Sequence, residues 1–166
     1  ADKVMVVYSG TGNPSLVALD KFKNMDAKHV IAFGIPTMKG ITEPYRLDNP
    51  HTESFINMYG SEDVFVKSGL AGPRTIVNAK GNTIGTNIRI MGAVHGDFAP
   101  NPDGGKYNQQ AAKFNAYVTA MANKPSFVED LNDFLSNTTQ GVKPIYKDGK
   151  LIEYQIDPTE IKYPNQ

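Results

Sequence analysis

Cysteine is absent from all 166 residues, which excludes disulfides, thiolate catalysis, iron–sulfur clusters and cysteine zinc sites together. A surplus of charge of either sign is missing too, since 17 Lys and Arg balance 17 Asp and Glu. Duplex nucleic-acid binders carry a basic surplus to neutralise phosphates, so no nucleic-acid partner is expected. No apolar run approaches the roughly 18 residues that suggest a membrane span, so none is expected. Histidine is scarce: His29, His51 and His95 lie far apart and form no HxxxH-type pair, and no metal site is expected. The chain starts Ala1-Asp2-Lys3 without Met. That start fits a mature chain left after signal cleavage, so a periplasmic or secreted location is expected, with a cytoplasmic one as the alternative.

What is present is organised around residues 3–19, KVMVVYSGTGNPSLVAL. Val4, Met5, Val6 and Val7 form an apolar, largely β-branched run long enough for one buried strand. The loop Ser9-Gly10-Thr11-Gly12-Asn13 follows. Asn13 is placed as an N-cap and Pro14 as the first helical residue, where its missing N–H costs nothing. Leu16, Val17, Leu19 and Phe22 supply the buried side of a helix. Strand, loop and helix start bring backbone N–H groups and a positive dipole end to the edge of a sheet. Residues 29–35, HVIAFGI, then form a second buried strand stopped by Pro36. So short a crossover predicts two parallel neighbours, and neither run alternates, as in a sheet covered on both faces. The class is α/β or α+β with a partly parallel sheet.

Residues 37–50 read as an irregular connection. Residues 51–59 read as a short helix with Phe55, Ile56 and Met58 or Tyr59 inward, ended by Gly60, and residues 63–66 as a short strand or a helix end. Strands at 74–78 and 83–91 around the turn 79–82 predict an antiparallel hairpin. Residues 92–105 form a long exposed loop carrying His95, Asp97 and Asp103, and a loop of that length is usually functional or mobile. A helix spans 106–122, with Tyr107, Ala111, Phe114, Val118 and Met121 on one face. Another spans 127–135, with Ser126 and Glu129 at capping-box spacing. Asp148-Gly149 turns a second hairpin, and the polar tail from Asp157 is expected on the surface.

Few residues offer a catalytic set. Ser9, Ser15, His95 and Asp97 include the types of a Ser-His-Asp arrangement, but no GxSxG elbow marks a nucleophile. Glu43, Asp48, Asp97 and Asp103 lack the spacing of a calcium loop. Asn137-Thr138-Thr139 is a glycosylation sequon, meaningful only in a chain secreted from a eukaryote.

Tyr8-Ser9-Gly10-Thr11-Gly12-Asn13 resembles the flavodoxin phosphate loop, and residues 30–40 loosely resemble a second flavin loop of that superfamily. The resemblance implies a flavodoxin-like electron carrier with flavin mononucleotide (FMN) as cofactor, its phosphate held at Ser9, Thr11, Gly12 and Asn13. The spacing departs from that family, which places a further strand and helix between the two loops, and the typical acidic surplus is missing.

The order strand, helix, strand, short helix, strand hairpin, helix resembles a thioredoxin-like fold. The segment Gly72-Pro73-Arg74-Thr75-Ile76-Val77-Asn78-Ala79-Lys80-Gly81 resembles the proline–strand–turn segment of periplasmic disulfide isomerases. The resemblance implies a mixed sheet flanked by helices, with a thioredoxin-like core over 1–122. A C-terminal helix–hairpin extension over 123–166 would pack on the same domain. Pro73 is the implied counterpart of the family's usually cis proline, and the active-site loop falls at Asn13, Pro14 and Ser15, where no cysteine stands. Disulfide exchange needs a thiolate. The resemblance therefore implies a non-redox module without a cofactor, leaning away from an enzyme. It would hold a protein or peptide partner beside Asn13, Pro14, Ser15, Gly72 and Pro73, in an extracytoplasmic assembly.

Overall fold

The apolar run that precedes Ser9 forms one edge of a mostly parallel sheet. A computed structural model describes residues 3–36, 43–99 and 101–164. Part of the irregular connection, residues 37–42, lies outside the described residues. Along the chain run β1 (Val4–Tyr8), α1 (Gly12–Lys21), β2 (His29–Phe33), β3 (Tyr45–Leu47), β4 (Ser54–Gly60) and α2 (Val64–Lys67). Then come β5 (Ile76–Asn78), β6 (Gly85–Ile90), α3 (Gly105–Met121), α4 (Phe127–Asn137), β7 (Val142–Lys147) and β8 (Lys150–Ile156). The main sheet has six strands in the order β1-β2-β4-β6-β8-β7. All are parallel except β7, which pairs antiparallel with β8 through the Asp148-Gly149 turn. β3 and β5 form a separate parallel pair.

Both faces of the sheet are covered at β2 and β4, which is why those strands are apolar without alternation. On one face α3 and α4 bring Phe114, Val118, Phe127 and Leu131 against Ile31, Phe33, Ile56, Met58, Ile88 and Ile90. On the other, Leu16 and Leu19 of α1 pack with Val7, Val30, Ala32 and Phe55, joined by Leu47 and Ile76 from the small pair. Full burial of such side chains contributes about 1.5–3 kcal/mol each relative to exposure.

Several local expectations are corrected. Residues 54–60 are a strand, not a helix, and all seven are buried. An apolar run this short fits either period, and burial between two layers decides it. Residues 74–91 do turn tightly, with Asn78 Oδ1 accepting from the Lys80 and Asn82 N–H groups. Beyond that turn the strands part: β5 pairs with β3, and β6 enters the main sheet between β4 and β8. The first helix begins at Gly12 rather than Pro14, because a 3₁₀ turn over Ser9–Thr11 runs straight into it. Ser126 bonds Asp130 instead of closing a capping box. The tail is pinned by Tyr163, which is buried against Tyr117.

Because β1, β2, β4 and β6 are parallel, their C-terminal ends all open on one edge of the sheet. In open α/β sheets that edge is where ligands bind.

Candidate active site

At the end of β1 the chain turns on Ser9, whose φ is 51°. A non-glycine residue with positive φ is uncommon, and such strain gathers at functional positions. The turn sets Ser9 at the head of α1. Thr11 Oγ1 donates to the Tyr8 carbonyl at 2.5 Å and Ser15 Oγ to the Thr11 carbonyl at 2.8 Å, which braces the bend. A Cβ on Gly12 would lie 2.3 Å from Ile35 Cδ1, so glycine lets the helix start hard against the segment after β2. A Cβ on Gly10, the residue after Ser9, would meet nothing within 4 Å apart from its chain neighbours.

The loop after β6 carries His95 back across the end of β2. It crosses at Gly34, where φ is 58° and a Cβ would sit 3.2 Å from both His95 Cε1 and Nδ1. Asp97 holds the loop from within, accepting from the Val94 N–H at 2.9 Å and from Asn108 Nδ2 of α3 at 3.0 Å. The rings of Phe65 and Tyr8 lie 5.0 and 5.4 Å from the imidazole. The result places His95 Nε2 2.6 Å from Ser9 Oγ, two residues 86 positions apart in the chain.

The third member comes from the end of β4. Asp63 Oδ2 lies 2.6 Å from His95 Nδ1, while Oδ1 accepts from the Phe65 N–H at 2.9 Å and so caps α2. The Asp63 side chain has no exposed surface, and that of His95 keeps 26%. An ionised carboxylate only accepts, so Nδ1 carries the imidazole proton and the Nε2 lone pair faces the Ser9 hydroxyl. The loops after β4 and β6 are fastened together by Ser61 N–H to Ile90 O at 3.0 Å and Glu62 N–H to Ala93 O at 2.9 Å. The Gly92 N–H adds a bond to Ser61 Oγ at 2.7 Å. Burial, with the Asp63 and Asp97 carboxylates nearby, pushes the Tyr8 phenol above its ordinary pKa.

The structure thus joins Ser9 and His95 from the sequence-derived Ser-His-Asp set, leaves Ser15 and Asp97 bracing the site, and supplies Asp63 as the acid. Asp63 is not legible in the sequence because residues 51–59 read as a helix there; an aspartate just past a parallel strand is the signal that a strand assignment exposes. Of the residues proposed to hold FMN phosphate, Ser9 faces His95, Thr11 bonds the Tyr8 carbonyl, Gly12 is buried, and Asn13 Nδ2 donates to the Pro36 carbonyl at 2.7 Å. Among the residues proposed to hold a peptide, Asn13 and Gly72 line one small pocket with Leu16 and Phe55. Gly72 and Pro73 also line a wider cleft of about 890 Å³, and Pro14 is exposed. Among the described residues the cis peptide bond is Glu43–Pro44, not the one before Pro73. No group of three or more His, Asp and Glu residues among them is placed to hold a metal ion, and no helix among the described residues is long and apolar enough to cross a membrane.

Set against known proteins, the chain matches no family model, no curated protein sequence and no solved structure at a significant level.

Proposed function

We propose that this chain is a serine hydrolase acting on a carboxylic ester or related acyl compound through an acyl–enzyme at Ser9. The observation that carries the reading is the unbroken line Ser9 Oγ, His95 Nε2, His95 Nδ1, Asp63 Oδ2, with 2.6 Å at both junctions. Both distances lie within the reach expected of a nucleophile, its base and the group that orients the base. The chain order Ser, Asp, His and the strained strand-to-helix turn are those of the α/β-hydrolase nucleophile elbow. Val7 and Thr11 stand where that motif has glycines, and Gly12 makes the close approach one residue later.

In this reading His95 Nε2 takes the Ser9 proton as Oγ attacks the acyl carbon. The donor assigned to the developing oxyanion in this scheme is the backbone N–H of Gly10, the residue after the nucleophile, in the 3₁₀ turn that leads into α1. The imidazolium, held by Asp63, then returns the proton to the leaving group as the acyl bond to it breaks. Water attacks the acyl–enzyme by the same path, releasing the acid and restoring the Ser9 hydroxyl.

A fluorophosphonate probe tests this directly. Ser9 is expected to be the labelled residue by peptide mass spectrometry, with labelling lost in Ser9→Ala and His95→Ala. Labelling elsewhere, or none, overturns the reading. The same preparation, examined for visible absorption and for quenching of added FMN, tests the flavin alternative: a yellow protein or saturable quenching favours an electron carrier.

A further inference from the structure

Tyr8 directly precedes the proposed nucleophile, and its side chain reaches the base. Its hydroxyl donates to the His95 backbone carbonyl at 2.7 Å. Its ring lies 5.4 Å from the imidazole and 6.2 Å from Phe98, which itself packs on Phe33 of β2 at 5.6 Å. Tyr8 and Ser9 share a peptide unit, and the His95 carbonyl and imidazole share a Cα. The Tyr8 bond therefore closes a short circuit running from Ser9 Oγ to His95 Nε2, through His95 to its carbonyl, and back along Tyr8 to Ser9.

We propose, on the serine-hydrolase reading, that Tyr8 is a positioning residue that sets the separation of nucleophile and base. Elsewhere the base loop is held by Asp97 and Asn108, by Tyr107 and Asn115 of α3, and by the bonds to the loop after β4. None of those bonds refers His95 to β1. The Tyr8 hydroxyl does, and because it acts on the backbone carbonyl it leaves both imidazole nitrogens to Ser9 and Asp63. The latch needs the phenol as a donor, and partial burial of this largely exposed side chain, with Asp63 and then Asp97 nearby, raises its pKa and keeps it protonated. Tyr8 touches no reacting atom in this scheme. It acts through His95.

The test compares the wild type with Tyr8→Phe and Tyr8→Leu in fluorophosphonate inactivation, separating the maximal rate constant from the half-saturating probe concentration. Loss of one positioning hydrogen bond is expected to lower the maximal rate roughly three- to tenfold. The half-saturating concentration stays as in the wild type, and the thermal midpoint falls by no more than the loss of one hydrogen bond accounts for. Tyr8→Leu, which also removes the ring from beside the imidazole, is expected to fall further. A wild type that labels at Ser9 with Tyr8→Phe equally fast overturns the latch and leaves the triad standing. A Tyr8→Phe that loses probe affinity and thermal midpoint together shows a merely structural role and also overturns it. A wild type that does not label at Ser9 removes the serine-hydrolase reading itself.

Discussion

Gly60 and Ala93 meet so closely that a Cβ on the glycine would lie 2.3 Å from the Ala93 carbonyl oxygen. This contact joins the loop that carries the acid to the loop that carries the base. Gly60→Ala is expected to force the two apart at a cost of about 1–3 kcal/mol, the usual range for overpacking. Separation of Asp63 from His95 follows, so Ser9 labelling drops further than the loss of folded protein explains. Chemical denaturation together with labelling rate per folded molecule measures both. Labelling that only tracks the folded fraction would refute the coupling.

Asp63→Asn separates orientation from capping. The asparagine carbonyl oxygen can still accept the Phe65 N–H, so α2 keeps its cap and the fold survives. Its amide nitrogen, however, is a donor where His95 Nδ1 needs an acceptor, and the imidazole moves to the wrong tautomer. Turnover of an activated ester is expected to fall by about 10⁴-fold, the size such a change has in serine proteases. A loss below tenfold would show that Asp63 is not the orienting group.

Ser9 supplies a comparison whose sign is unusual. Glycine normally destabilises a protein relative to alanine through the unfolded chain. At Ser9, with φ of 51°, alanine carries the left-handed strain and glycine does not. Ser9→Gly and Ser9→Ala both lose the hydroxyl and both should be inactive. The glycine variant is nonetheless expected to be the more stable by about 1 kcal/mol, measured by denaturant midpoints. Alanine as the more stable variant would mean that Ser9 is unstrained.

The amino-acid order made some of this legible and hid the rest for identifiable reasons. Val4–Tyr8 and His29–Phe33 are apolar runs joined by a short helix, and they emerge as adjacent parallel strands. The stripe of α3, from Tyr107 to Met121, has one period and one reading, and it packs as expected. Residues 54–60 carry Phe55, Ile56, Met58 and Tyr59 at spacings that suit a helix or a strand, and only the layers on either side decide. Misplacing that strand conceals Asp63, because its meaning comes from standing at the end of β4. The proposed elbow has no glycine signature for a local reason: the close approach is made by Gly12 rather than by glycines two residues either side of Ser9. Long-range meetings such as Ser9 with His95 leave no spacing signal at all.

Tyr163 links the tail to alkaline stability. Its residue is 9% exposed, its ring lies 4.8 Å from that of Tyr117, and its hydroxyl has no hydrogen-bond partner among the described residues. Burial, and then Tyr117, raise its pKa from the ordinary 10.0 to about 12. Between those values the folded state keeps a proton that the unfolded chain has released. The native form therefore binds more protons, and stability falls as pH rises through that window. Tyr45, also raised to about 12 by burial, adds to the same decline. Tyr163→Phe removes one of these protons and an unsatisfied buried hydroxyl. It is expected to match or slightly exceed the wild type at neutral pH and to lose less stability above pH 10, so the two urea midpoints diverge with pH. A loss at neutral pH of about 1 kcal/mol, the usual worth of a hydrogen bond, would instead show that the hydroxyl is bonded.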